Sequence, residues 1–94
     1  MIYLVTYTIR SQKRLAKLTA EITASDGWAH HIDNSWFVAT REDANQLYRR
    51  LAQHIDNQDL ILVVSIPPQV RTPTHIKGWL PEEAWKWLRE NISY

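Results

Sequence analysis

Residues 2 to 9 alternate strictly, with Ile2, Leu4, Thr6 and Thr8 on one side and Tyr3, Val5, Tyr7 and Ile9 on the other. A period of two in a stretch rich in β-branched and aromatic residues predicts a strand. One side is wholly apolar or aromatic, while the other turns polar at Thr6 and Thr8, as where a buried strand runs out to a rim. Ser11 then offers a cap, and Leu15, Leu18 and Ile22 recur at helical spacing until Asp26-Gly27, where Gly27 suits a left-handed stop. A helix is expected over about 11 to 25.

The period returns to two in Trp28 to Ile32 and Ser35 to Thr40, which Asp33-Asn34 joins as a hairpin. Thr40 with Asp43 resembles a capping box, and Ala44, Leu47, Tyr48, Leu51, Ala52 and Ile55 make an apolar stripe on a second helix ending near His54. Leu60 to Ile66 is almost continuously apolar, the mark of a strand covered on both faces or central in a sheet. Pro67-Pro68 stops it, and the aperiodic stretch to Lys77 reads as an extended arm. Pro81, the acids Glu82 and Glu83, and Trp85, Leu88 and Ile92 at helical spacing predict a short terminal helix over about 81 to 92.

Strand, helix, strand, strand, helix, strand is the α+β, ferredoxin-like order, here with a C-terminal extended arm and a short Trp-rich helix. The whole chain is expected to be one domain: a core over 1–66, a Pro-rich arm over 67–78 and a terminal helix region over 79–94. Both helices of such a fold lie on one face of the sheet, so the other face needs a cover. A second copy is the natural candidate, which makes the expected state a homodimer with Trp79, Trp85 and Leu88 at the junction.

Composition narrows the function. The 94 residues carry 45% hydrophobic and 22% charged side chains with two Gly and four Pro, a globular rather than a disordered balance. The absence of Cys excludes a disulfide frame and thiolate chemistry, and fits a reducing compartment. With neither a basic leader nor a run of some eighteen apolar residues, the expected location is cytoplasmic, away from membranes. Net charge is only +1, yet residues 1–20 hold Arg10, Lys13, Arg14 and Lys17 and no acid. On a helix Lys13, Lys17 and the adjacent Arg14 form one cationic stripe beside the end of the first strand, and with Arg10 they could meet the phosphates of DNA or RNA.

The run Ile2 to Ile9, the hairpin from Trp28-Ala29-His30-His31 to Ser35-Trp36-Phe37-Val38, and the tail from Gly78-Trp79-Leu80-Pro81 to Trp85 together resemble small bacterial proteins labelled SinR-family, of the CRISPR-adaptation-scaffold fold. That fold is shared with the integrase-partner subunit of the CRISPR adaptation complex and with VapD-type toxin ribonucleases. The resemblance implies a sheet-to-sheet dimer and a tie to nucleic acid. Members credited with metal-dependent phosphodiester cleavage end the first strand with Tyr-Asp. Here Thr8 stands where the Asp would be, and a neutral hydroxyl is a poor magnesium ligand. The expectation is therefore no metal site, no cofactor and no hydrolysis by that route.

Weaker chemistry is spread over other residues. His31 and Asp33 share a strand face and form a candidate metal-free acid–base pair, with Tyr7 a further candidate near the strand rim. Gly27 and Gly78 are the only glycines, too few for a Gly-rich phosphate loop, and no serine has a Gly-x-Ser-x-Gly frame. Three classes follow: a homodimeric nucleic-acid-binding scaffold, a VapD-like endoribonuclease, and a protein-interaction subunit of a defence or toxin–antitoxin system. The first is the leading expectation.

Overall fold

The computed structural model describes residues 1–66 and 76–92. Their order is β1 (Ile2–Thr8), α1 (Gln12–Thr23), β2 (Gly27–Ile32), β3 (Ser35–Ala39), α2 (Ala44–Ala52), β4 (Leu60–Ile66) and α3 (Glu82–Ile92). The strands form one sheet in the order β2-β3-β1-β4, every neighbouring pair antiparallel. This is the expected ferredoxin-like arrangement. Residues 67–75 of the expected arm, with Pro67-Pro68 and Arg71, lie outside the described residues, as do 93 and 94.

Alternation in β1 sorts the two faces. Tyr3, Val5 and Tyr7 join Trp36 and Val38 of β3 and pack under Leu18 and Ile22 of α1 and Leu47 and Leu51 of α2, forming the main core. The opposite face consists of cross-strand rows fixed by the register: Ala39, Ile2 and Ile66; then Phe37, Leu4 and Val64; then Ser35, Thr6 and Leu62; then Thr8 and Leu60. Helix α3 lies on the first of these rows. Its Leu88 is fully buried with Ile2, beside Phe37, Ala39, Ile66, Ile76, Trp85 and Trp87.

That docking corrects one expectation. Leu88 is buried inside its own chain rather than left exposed for a junction, and Trp85 sits half-buried next to it. The terminal helix covers one end of its own sheet because a stripe at three- and four-residue spacing matches the row Ala39, Ile2, Ile66. A second correction concerns β4, which is an edge strand rather than a central one. Its continuous apolar run arises because Ile61 and Val63 face the core while Leu60, Leu62 and Val64 are apolar on the face that α3 leaves open.

Two local readings also change. Helix α1 ends at Ala24 in right-handed geometry, and neither described glycine has a positive φ. Gly27 opens β2 instead, where a Cβ would come within 3.3 Å of Ala39 Cβ and 3.7 Å of Trp87 Cζ2. The α2 capping box is Asp43 with Gln46, not Thr40 with Asp43. Asp43 Oδ1 accepts from the Gln46 N–H at 2.8 Å and Gln46 Oε1 accepts from the Asp43 N–H at 2.9 Å. Thr40 is taken up one step earlier, its hydroxyl donating to Glu42 Oε1 at 2.9 Å.

Candidate functional site

The basic residues singled out by the sequence, with Thr8, lie at the rim where β1 ends and along the first turns of α1. Ser11 caps α1 by accepting from the Arg14 N–H, which sets the helix running back over the sheet directly after Arg10. Thr8, Arg10, Lys13 and Lys17 are all exposed. Lys13 and Lys17 are four residues apart on α1 and therefore one turn apart on the same face. Neither they nor the Arg10 side chain make an ion pair among the described residues.

Arg14 behaves differently. Its guanidinium lies on Asp59, Nε to Oδ2 at 2.8 Å and Nη2 to Oδ1 at 3.0 Å, with Asp56 Oδ2 at 3.7 Å from Nη1. Asp59 also accepts from the backbone N–H groups of Asp56 and Arg10. These donors, the guanidinium first, hold its carboxyl down at about 2. Arg14 thus braces the β1–α1 turn against the loop entering β4, and the outward-facing cations are Arg10, Lys13 and Lys17. No local signal marks Asp59 as the partner, because it is 45 residues away in sequence.

Beside Lys17, a shallow cleft runs along Gln53, His54, Asp56 and Asn57 after α2. His54 Nε2 is 2.9 Å from Glu21 Oε2, and that contact together with Arg50 keeps the Glu21 carboxyl below the usual range. Arg50 gathers the far end of this seam, donating to Glu42, to Ser25 Oγ and to the Glu21 carbonyl. The network locks the ends of α1 and α2 together and leaves Lys17 unengaged at the cleft edge.

The weaker catalytic candidates are kept apart. Tyr7 is buried, and its hydroxyl accepts from Trp36 Nε1 at 3.0 Å, so its one strong polar contact lies within the core. His31 faces the helix-free side beside Leu4, Phe37 and Leu80. His30, on the other side, stacks on Trp36 with ring centroids 3.7 Å apart, and its Nε2 lies 3.0 Å from the Asp33 carbonyl oxygen. Asp33 therefore meets His30 through its backbone, while no hydrogen bond joins the His31 and Asp33 side chains among the described residues. The expected pairing fails because β2 ends at Ile32, so Asp33 lies in the β2–β3 turn rather than on the strand face that His31 occupies, and the register shifts between Ala29 and Ile32 just before it. No group of three potential metal ligands occurs among the described residues.

The helix-free face is the other large feature of the surface. Beyond α3 it exposes Leu60 (68%), Leu62 (57%), Val64 (42%) and Ile32, and it carries no Asp, Glu, Lys or Arg on any strand. Trp79, just before α3, is fully exposed at its edge. Leu60, Leu62 and Val64 are contiguous along the edge strand β4, beside its neighbour β1.

With this geometry established, the chain can be set beside known proteins. No family model and no curated protein matches it. Among solved structures, Streptococcus pyogenes Cas2 superposes with a TM-score of 0.57 at 23% identity, over 83% of this chain and 100% of that one. The fold is similar to that of Cas2. A hypothetical protein from Thermus thermophilus superposes with a TM-score of 0.62 at 17% identity, over 85% of this chain and 93% of that one. At these identities the likeness to Cas2 is one of fold. No helix among the described residues is long and apolar enough to cross a membrane.

Proposed function

We propose that the protein is a homodimeric scaffold that binds a nucleic-acid backbone through Arg10, Lys13 and Lys17 and does not cleave it. The observation that carries this reading is the division of the surface. An uncharged, apolar sheet face stands apart from a helix end whose exposed cations have no acid partner among the described residues. An uncharged apolar face matches another such face, because any charged partner would be desolvated there without compensation. The two-fold pairing of that face would place two cationic helix ends on one particle. Two free ammonium groups one turn apart on α1, with the Arg10 guanidinium just before it, suit phosphates, where they act through counterion release rather than base recognition. Arg14 contributes by fixing the turn that presents Arg10, not by contacting the ligand. The likeness in fold to Cas2 accords with this reading.

The test is fluorescence anisotropy of labelled duplex DNA and single-stranded RNA, titrated at low salt with magnesium and followed over time. A stable rise that salt weakens is expected. In Lys13→Glu with Lys17→Glu the affinity drops, and the log–log salt slope on duplex shrinks by about 1.8, the value for two lost phosphate contacts. An unchanged titration curve in that variant overturns the assignment of these residues. A rise followed by decay on RNA would replace the scaffold with an endoribonuclease, and no rise on either strand would move the protein to the protein-interaction class.

A further inference from the structure

Trp79 presents an unusual combination: a whole indole in solvent, at the lip of an apolar groove in its own chain. The groove runs over Leu4, Phe37, Val64, Ile66, Ile76 and Leu80, has a volume of about 360 Å³, counts Trp79 itself in its rim, and has Lys77 as its only charged lining residue. Trp79 itself is 100% exposed, whereas Trp36 is buried and Trp85 and Trp87 are packed against the secondary core. An indole buries roughly 150–250 Å² when it is covered, so leaving one in water beside an empty apolar slot forgoes a large contribution.

We infer that Trp79 of one copy seats in the Leu4, Phe37, Val64 and Leu80 groove of a second copy, and that the second copy returns the contact. The inference rests on the dimer reading above and names its anchor. Three observations favour a second copy as the occupant. The projecting ring and the receiving groove adjoin on one patch, the condition for a self-complementary two-fold interface in which residue i meets j and j meets i. The groove is continuous with the exposed row Leu60, Leu62 and Val64, so seating the ring covers the open half of the sheet in the same step. The face carries no charged strand residue, which disfavours nucleic acid or a charged peptide there. A groove of this size falls in the range of roughly 300–1,000 Å³ that accommodates a large apolar group.

The experiment compares wild type, Trp79→Ala, Trp79→Phe and Trp28→Ala by sedimentation equilibrium of the full chain, with circular dichroism confirming that each variant is folded. Trp28 is exposed too, but it lies on the helix side of β2, so its loss should leave association unchanged. Trp79→Ala is expected to weaken the dimer by roughly thirtyfold or more, the size of an interfacial hot spot. The wild-type minus Trp79→Phe emission difference isolates Trp79, and it should be blue-shifted and protected from acrylamide at dimer concentrations. A wild-type dimer whose affinity is unchanged in Trp79→Ala overturns the anchor while the dimer stands. A dimer in which the difference emission remains red and fully quenched overturns it as well. A wild-type monomer at tens of micromolar overturns the dimer and the anchor together. Loss of RNA binding in Trp79→Ala with the dimer intact would assign the ring to nucleic acid and overturn the inference.

Discussion

Arg14 and Asp59 form a bidentate pair, Nε to Oδ2 at 2.8 Å and Nη2 to Oδ1 at 3.0 Å, that closes a loop of 45 residues between the first turn of α1 and the entry to β4. The same carboxylate accepts from the backbone N–H groups of Arg10 and Asp56, so one side chain fixes both the turn that presents the cations and the start of the edge strand. Its partners hold it in place more than burial does, since every lone-pair direction is used. Asp59→Asn keeps the size but removes the charge and half of the fork. The variant is expected to melt several degrees below wild type, while Lys13→Ala, which breaks no contact in the fold, melts with wild type. Thermal melts followed by circular dichroism decide it, and coincident curves for Asp59→Asn and wild type would contradict the bracing role.

Acid should act through the same pair. Hydrogen bonds from Arg14 hold Asp59 at about 2 against an ordinary 3.8, while His54 and Arg50 lower Glu21, and Arg50 and the Thr40 hydroxyl lower Glu42, from 4.5. Each carboxyl therefore binds its proton less readily in the folded chain than in the unfolded one. The stability they contribute is fully present above their unfolded values and is lost as pH falls through the folded ones. Melting temperature should decline from about pH 5 downward and most steeply below about pH 4, where Asp59 titrates. In Asp59→Asn the decline between about pH 4 and 2 should be shallower, and an identical slope would assign the acid sensitivity elsewhere.

Tyr7, a candidate for chemistry on sequence grounds, serves the core instead, where its hydroxyl accepts from the buried Trp36 indole at 3.0 Å. Tyr7→Phe leaves that N–H without an acceptor, and a buried unsatisfied donor costs about 1–3 kcal/mol. Trp36→Phe removes the donor and exchanges the indole that His30 stacks upon for a smaller ring. The double variant should therefore be more stable than the two single losses predict, with a coupling of about 0.5–3 kcal/mol by urea denaturation. Additive losses would mean that the hydrogen bond contributes nothing.

How much could be read beforehand follows the range of the interaction. The alternation of Ile2 to Ile9 placed Tyr3, Val5 and Tyr7 on the core side because the strand period is local, and the element order then implied the sheet. Features set by distant partners were illegible. Arg14 looked like one more surface base because Asp59 is 45 residues on, and Leu60 to Ile66 looked covered on both faces or central because an edge strand with an apolar open face has the same pattern as a covered one. His31 and Asp33 looked paired because strict alternation runs past Ile32, whereas the strand ends there after a register shift and Asp33 enters the turn.

Gly27 illustrates the same limit and can be tested directly. Its backbone is ordinary, so the requirement is for space: a Cβ would meet Ala39 Cβ at 3.3 Å and Trp87 Cζ2 at 3.7 Å. Gly27→Ala asks its neighbours for a few tenths of an ångström and should be mild. Gly27→Val drives γ-carbons into the seat of Trp87 and should cost about 1–3 kcal/mol through overpacking. Loosening of α3 would appear as a red shift in tryptophan emission. A Gly27→Val variant as stable as Gly27→Ala would mean that Trp87 has room to move.

Leu88 decides which chain α3 serves. Its side chain is fully buried against Ile2 of its own sheet, beside Phe37, Ala39 and Trp85. Truncation to alanine removes buried methyl groups and leaves a cavity, at a cost of about 2–5 kcal/mol. Because the contact is internal, the penalty must appear as lower stability of the chain at any concentration. A helix that instead docked on a neighbour would show its loss as weaker association, with the folded subunit scarcely changed. Chemical denaturation of Leu88→Ala at two protein concentrations, alongside sedimentation under native conditions, separates the two. The own-chain packing predicts an equal drop in unfolding free energy at both concentrations and an unchanged native mass, whereas a lower native mass with intact subunit stability would move α3 onto the partner.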